Sequence, residues 1–494
     1  MPDNKSNDRN GKDDTSDTSS SAVPRPVKKG AVLRLEIDTL AFGGMGVARL
    51  DGMAVFVANA VPGDTVSARI VKKKKRYAEA RVLSIESPSA YRVDAGCRFC
   101  GYCGGCRLRI LDYDRQLAYK REQVADALRR IGSIENAAVH PPVPARQTLE
   151  YRNKMEFSFS DRRWLLPEEM EDPDAETGFA LGLHVSGTFY KVLDIERCDL
   201  FPDLGNRILR DVRDYVRQSD RPVYGLRSHE GFWRFLMLRH SVAHDQWMVN
   251  IVTAEPDRAA VQPLADRLVE RYPQVVSVVN NITARKAGIA VGDEEFLLRG
   301  SAVIEDGLGD LRFDISANSF FQTNTRGAET LYQTAAAYAD LKGHETVVDL
   351  YCGTGTIAIW LSAMSASVVG IEMNESCIAD AEKNCRKNNV INVRFLAGDV
   401  KDRLAELPRR PDVMVIDPPR AGMHKDVVRQ VLALAPERIV YVSCNPATLA
   451  RDAGMLAEQY TVTEVQPVDM FPHTPHIECV AKLVAGPSAS QSAA

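Results

Sequence analysis

After Asn324 the chain alternates short apolar runs with amphipathic stretches, and few folds accept that alternation. Thr346–Leu350, Val368–Glu372, Val393–Leu396, Val413–Ile416 and Arg438–Val442 are short and β-branched, with helical spacing between them, as over 376–388. Runs apolar on successive positions read as strands buried on both faces, and strands alternating with helices form an open parallel sheet. Val462–Val468 and Glu478–Val484 close the pattern as an antiparallel pair, for seven strands in all. The expected fold class is α/β, a Rossmann-like sheet, whose chemistry belongs beyond the carboxyl ends of its strands.

Cys444 stands at such an end, between Arg438–Val442 and the helix that Asn445 and Pro446 introduce. A lone cysteine beside a strand is more often a small buried thiol, so its neighbours must decide. Gly353 and Gly355 form a turn after the first strand that lets a ligand approach the backbone, and Glu372 at the end of the second can accept ribose hydroxyls. Asp399, after the third strand, would face an adenine, and Asp349 precedes the turn. A full Gly-x-Gly-x-x-Gly is absent, which favours S-adenosylmethionine over a dinucleotide. Asp417-Pro418-Pro419-Arg420 ends the fourth strand with an arginine where amino-group methyltransferases carry a stacking ring, so a pyrimidine edge is the better target. Carbon 5 of uracil is a weak nucleophile until a thiolate adds to carbon 6, and a base must later remove the carbon 5 proton. Cys444 and Glu478 are the candidates, with His476 the competitor for the base.

Upstream, residues 1–29 are rich in Ser, Asp, Asn, Lys and Thr and read as a disordered tail, as do 487–494. Residues 30–89 alternate in short segments separated by Gly43-Gly44-Met45-Gly46 and Val61-Pro62-Gly63-Asp64, which suits a five-stranded barrel of the oligonucleotide-binding type. Lys72–Arg76 sets five positive charges beside Tyr77, an edge fit for phosphates and a stacked base. Such a patch is needed for nucleic-acid contact, because the formal net charge is -4. Cys97, Cys100, Cys103 and Cys106 then crowd four thiols into ten residues, which points to zinc or an iron–sulfur cluster, all four on one ion being one arrangement. A helix follows, with Leu117, Val124, Leu128 and Ile131 at helical spacing. The rest of 90–323 is strand-rich and reads as a central antiparallel α+β domain, with Glu168–Asp174 as an acidic loop. Arg152, Lys154, Arg234 and Arg239 are its candidate RNA contacts, and residues 324–486 make the catalytic domain. No run approaches the roughly 20 apolar residues of a membrane span. No secretory signal is seen and the ten cysteines suit reduced thiols, so the expected setting is cytoplasmic, without a membrane partner.

Phe320-Phe321-Gln322-Thr323-Asn324, Asp349-Leu350-Tyr351-Cys352-Gly353, Asp417-Pro418-Pro419-Arg420, Ser443-Cys444-Asn445-Pro446 and His476-Ile477-Glu478 resemble, in order, the motifs of the RNA uracil-C5 (5-methyluridine) methyltransferase family. The barrel resembles a TRAM domain, and the likeness covers nearly everything after residue 30. It implies a class I methyltransferase sheet using S-adenosylmethionine, with Gln322, Tyr351, Thr356, Glu372, Asp399 and Asp417 bordering the donor or target base. Cys444 is then the nucleophile and Glu478 the base. It further implies a [4Fe-4S] cluster on Cys97, Cys103, Cys106 and Cys198 that supports folding and RNA binding, with Cys100 extra. Members with barrel and cluster act on 23S rRNA, so the expected partner is 23S rRNA, with the uridine flipped out and the enzyme a monomer. A tRNA uridine is the alternative target. A non-catalytic iron–sulfur RNA-binding or chaperone protein, which would not need Cys444, is the alternative of a different class.

Overall fold

In the N-terminal strands alternate residues point inward: Leu33 and Leu35 of Val32–Glu36, and Val66, Ala68 and Ile70 of Thr65–Lys73, are buried. A period of two is what a sheet with one wet face requires. This computed structural model describes residues 27–286, 290–407 and 410–486, so most of the tail expected at 1–29 and all of that at 487–494 lie outside the described residues. The N-terminal sheet has six strands, in the order Val32–Glu36, Thr65–Lys73, Tyr77–Ser87, Met53–Ala58, Gly46–Leu50, Thr39–Leu40. That is one more than expected, the extra being a two-residue strand too short to show a pattern.

The central sheet has seven strands, from Val192–Asp194 through Lys154–Ser160, Trp233–His240 and Trp247–Thr253 to Glu294–Gly300, with helices Asp203–Arg217 and Arg258–Arg271. It is not antiparallel throughout. Trp247–Thr253 pairs in parallel with Val275–Ile282, because the Arg258–Arg271 helix supplies the crossover that parallel neighbours need. Arg234 and Arg239 face this interior and are buried, which corrects their reading as RNA contacts. Arg239 donates to the carbonyls of Ala317 and Ser319, and burial pulls its pKa down to about 10. Arg234 donates to the Thr283 carbonyl and lies 4.3 Å from the Tyr224 ring centroid.

The catalytic sheet runs Val393–Ala397, Ser367–Glu372, Thr346–Leu350, Val413–Ile416, Arg438–Ser443, Glu478–Ala485, Tyr460–Val468 and Ala138–Val139. Seven of these were expected. The eighth, Ala138–Val139, comes from outside the alternating region and pairs with Tyr460–Val468, covering an edge that would otherwise show unpaired backbone. The Tyr113–Arg130 helix buries Gln116, Lys120, Val124 and Leu128, one residue per turn, while Ile131 is 52% exposed. Two polar residues thus hold half of the face expected to be apolar. Among the described residues no helix is long and apolar enough to cross a membrane.

The stretch before the catalytic sheet is pinned from both sides. Asn153, ahead of the central sheet's Lys154–Ser160, donates to the Gln322 carbonyl at 2.8 Å and to Thr325 Oγ1 at 2.8 Å. Asn324 caps helix Thr325–Ala339 by accepting the Gly327 amide at 3.0 Å, and its amide donates to the Met470 carbonyl at 2.8 Å. Asn324→Ala removes a cap and orphans a buried carbonyl, so denaturant titration is expected to show a loss of about 2 kcal/mol.

Candidate active site

Glu372, Asp399, Asp417 and Cys444 follow or end strands of the parallel sheet, and Glu478 opens the antiparallel strand that returns to the same edge. After Thr346–Leu350 the chain turns through Tyr351, Gly353 and Gly355, all at positive φ, into helix Thr356–Ser362. A Cβ at Gly353 would meet nothing within 4 Å, so the turn leaves room for a ligand. Gly355 differs: there a Cβ would lie 2.7 Å from the Phe395 ring, so this glycine serves packing. Glu372 accepts the amides of Gly353 at 3.2 Å and Asn374 at 2.8 Å, which fixes its carboxylate at the rim of that room. Thr356 Oγ1 meets the buried Tyr332 hydroxyl at 2.9 Å. Asp399 caps the following helix through the Lys401 amide and pairs with the Lys401 ammonium at 3.2 Å, so it stands at the rim already engaged. Gln322 arrives on the segment pinned by Asn153.

Asp417 follows Val413–Ile416 and Cys444 follows Arg438–Ser443, the neighbouring strand. Asn445 ties the two ends together, donating to the Arg420 carbonyl at 3.1 Å while its Oδ1 caps helix Pro446–Leu456. On the other side Arg438–Ser443 pairs antiparallel with Glu478–Ala485, and the register that sets Ser443 against Cys479 brings Cys444 opposite Glu478. The Arg420 guanidinium reaches His476 Nδ1 at 3.4 Å, and its charge acts on the Cys444 thiol.

Electrostatically this edge is acidic and short of donors. Asp349 is fully buried, and its two carboxylate oxygens have no well-formed hydrogen bond, the Ala358 amide making only a loose approach. Burial, and then the charge of Asp417, push its pKa well up. Burial raises Asp417 to about 7. Glu478 rises to about 8 through burial and then Asp417, with Arg420 and Lys120 pulling the other way. The Cys444 thiol is raised by burial and then by Glu478, and Arg420 opposes that rise. His476 is pushed down to about 4, mainly by burial and then by the Arg420 charge, so near neutral pH it is an uncharged imidazole. A pocket with orphaned carboxylate oxygens suits a cationic ligand, and a sulfonium is one.

A second constellation lies on the central sheet. Cys103, Cys106 and Cys198 line a cavity of about 380 Å³ together with Arg152, Lys154 and Thr323. Arg109 pairs with Asp199 at 2.7 Å, which pulls the cysteine segment against the Cys198 turn. Among the described residues no group of three or more His, Cys, Asp or Glu is arranged to hold a single metal ion. The thiols of Cys97, Cys103, Cys106 and Cys198 nonetheless lie within one another's field, and so does that of Cys100. Burial first, and then neighbouring thiols, raise Cys103, Cys106 and Cys198, so thiolates here need a compensating cation, and three soft donors lining one cavity with Cys97 within their field fit an iron–sulfur cluster by their chemistry.

Sequence reasoning missed Lys120, Gln116 and Asp469, which hold the approach to Glu478, and it read Arg420 only as the lack of an aromatic ring. The spacing 116, 120, 124, 128 was a usable signal, since two polar residues continue the buried stripe of the helix.

The parallel sheet with its terminal antiparallel pair, and the acidic residues ending its strands, define a class I S-adenosylmethionine-dependent methyltransferase. A tRNA (Uracil-5-)-methyltransferase family profile matches residues 409–485, a TRAM domain matches 26–83 and a general methyltransferase domain 347–435. The chain is 46% identical to an uncharacterized RNA methyltransferase of Chlorobaculum tepidum over 441 residues, covering 87% of this chain and 91% of that one. It is 43% identical to another from Porphyromonas gingivalis, over 91% and 99%. The crystal structure of Pyrococcus abyssi tRNA (uracil-54, C5)-methyltransferase, in complex with S-adenosyl-L-homocysteine, superposes with a TM-score of 0.70 at 30% identity, over 92% of this chain and 100% of that one. The chain belongs to the RNA uracil-5-methyltransferase family, with a TRAM domain.

The raised carboxyls also set a pH dependence of stability. Glu478 and Asp417 hold protons in the fold that the unfolded chain releases above about pH 4 to 5. Their contribution is therefore complete below that range and is lost as pH rises through about 7 and about 8. In the ligand-free protein, unfolding free energy is expected to fall between about pH 4 and about pH 8, and Glu478→Gln to remove about 4 kcal/mol of that fall.

Proposed function

We propose that this protein methylates carbon 5 of a uridine in 23S rRNA, with Cys444 as nucleophile and Glu478 as base. The observation that carries the reading is the strand register that sets Cys444 opposite Glu478, with the Arg420 charge acting on the thiol and Asp417 one strand away. Arg420 favours the thiolate, which adds to carbon 6 of the flipped uracil and sends the ring electrons toward carbon 5 and the carbon 4 oxygen. Carbon 5 then displaces the methyl group from the sulfonium, and the thioether of S-adenosylhomocysteine leaves. Glu478 removes the remaining carbon 5 proton, that bond's electrons rebuild the double bond between carbons 5 and 6, and the thiolate is expelled. Asp417 meets the edge of the uracil. Glu372, Asp399, Tyr351, Thr356, Gln322 and the Gly353–Gly355 turn border the donor.

Cys97, Cys103, Cys106 and Cys198 would hold a [4Fe-4S] cluster, which cross-braces the cysteine segment and the central sheet and takes no part in the methyl transfer. Arg152 and Lys154 line the same cavity and are only half-buried, so they remain the candidate RNA contacts of that domain. Anaerobic preparations are expected to carry about four irons per chain, lost in Cys103→Ser.

The 23S rRNA target rests on the pairing of TRAM domain and cysteine set, which the motif resemblance associates with ribosomal RNA enzymes. A tRNA uridine is the second reading, favoured by the tRNA enzyme of Pyrococcus abyssi, whose whole length this chain matches. Labelled S-adenosylmethionine offered with unmodified 23S rRNA and with unmodified tRNA decides between them, and transfer to tRNA alone would replace the first reading by the second. Cys444→Ala is expected to abolish transfer, and Glu478→Gln to slow turnover about 10²- to 10⁴-fold while covalent protein–RNA adduct builds up. Wild-type turnover should rise with pH toward about 8 as Glu478 ionises. RNA containing 5-fluorouridine should trap the adduct only with Cys444 and the methyl donor both present, since fluorine cannot leave as a proton.

A further inference from the structure

Glu478 begins its strand directly after the loop 469–477, and that loop is held largely from outside the catalytic sheet. Lys120 Nζ donates to Asp469 Oδ1 at 2.6 Å and to the Phe471 carbonyl at 3.2 Å. The Tyr113 hydroxyl donates to Asp469 Oδ2 at 2.8 Å. Gln116 Oε1 accepts the His473 amide at 3.0 Å, and its Nε2 meets His473 Nδ1 at 3.2 Å. Leu108, two residues past the cysteine segment, donates its amide to the His473 carbonyl at 2.9 Å. His473 has a φ of +65°, a conformation that a non-glycine residue keeps only where its surroundings enforce it, and both its backbone groups are bonded by this scaffold.

Tyr113, Gln116 and Lys120 share one face of the helix at the i, i+3, i+7 spacing. Lys120 and Asp469 are both about 2% exposed, so the pair is buried. A buried ion pair is weak evidence for stability, because apolar residues of similar volume often serve as well. Its position points elsewhere: Lys120 lies within the field of Glu478. Cys444, by contrast, is placed by Ser443, Asn445 and Arg420, none of which touches Lys120.

Resting on the covalent reading above, we infer that Lys120 is a positioning residue for proton removal: its bonds to Asp469 and Phe471 seat the loop so that Glu478 reaches the proton on carbon 5. The step served is the last one. Glu478 takes the proton, the electrons of the carbon–hydrogen bond form the double bond between carbons 5 and 6, and the bond from carbon 6 to Cys444 breaks with its pair returning to sulfur. Thiolate attack and methyl transfer depend on other elements and are largely spared.

Single-turnover reactions of the full chain with S-adenosylmethionine and the unmodified transcript that accepts methyl, 23S rRNA or tRNA, separate the steps. The methylated covalent adduct is read on a denaturing gel and free product as 5-methyluridine. Lys120→Met combined with Asp469→Asn removes the charge pair without orphaning either partner. It is expected to raise the amount of adduct about tenfold or more while methyl incorporation slows less than about threefold. Tyr113→Phe removes one bond to Asp469 and no charge, so it reports in the same direction, to a smaller extent, if the double variant does not fold. A scaffold that only stabilised the fold would slow both steps together. Parallel loss of methyl incorporation and release, or unchanged adduct in both variants, overturns the inference. If wild type traps 5-fluorouridine RNA through Cys444 and the variants gather no adduct on ordinary RNA, the positioning role alone fails. If wild type traps none, the covalent reading fails and takes this inference with it.

Discussion

Three carboxylic acids at one edge of a sheet, Asp349 and Glu478 buried and Asp417 half-buried, are the constraint to which the rest of the site answers. Asp417 lies within the field of both Asp349 and Glu478, and all three are raised by desolvation before any charge effect is counted. In the ligand-free protein such groups keep their protons, since isolated charges in a dry site are costly. A cationic donor beside them changes that balance. A positive charge bound beside them would favour their ionised forms.

The sheet can host this cluster because its parallel strands end at one edge, while the antiparallel closing pair returns Glu478 to it. Arg438–Ser443 sits between Val413–Ile416 and Glu478–Ala485, so Asp417, Cys444 and Glu478 come from three consecutive strands of the sheet. The 2.0-residue period of a strand makes that placement sensitive to register, since a slip by one residue would turn Glu478 away. Pro446 and Asn445 start the next helix at once, and Asn445 reaches back to the Arg420 loop. Local turn chemistry and sheet register together bring sulfur, guanidinium and carboxyl groups to one place.

Around that edge the other modules share a foothold. Arg107, beside the cysteine segment, donates to the Gly43 carbonyl of the N-terminal sheet at 2.9 Å. A Cβ on Gly44 would lie 3.2 Å from Arg107 Cβ and 3.4 Å from Pro475 Cβ, so this contact admits little more than glycine. The TRAM domain, the cysteine segment and the loop before Glu478 thus meet at one point.

What could be read in the sequence was whatever depends on neighbours along the chain. The alternation after Asn324, the turn at Gly353 and the helix start at Pro446 are local physics, and the parallel sheet with its site-bearing edge followed from them. Relations between distant segments were not legible. Lys120 and Asp469 are 349 positions apart, and nothing near either residue says that the other will be its partner. Arg234 and Arg239 had the composition of surface charge, yet tertiary packing gave them buried carbonyls to bond. Ala138–Val139 is too short to announce a strand until an open sheet edge is beside it. Local pattern therefore determined the kind of sheet and where its chemistry could lie. Only the folded chain decided which charges became buried partners, because desolvation and pairing depend on what arrives from elsewhere in the sequence.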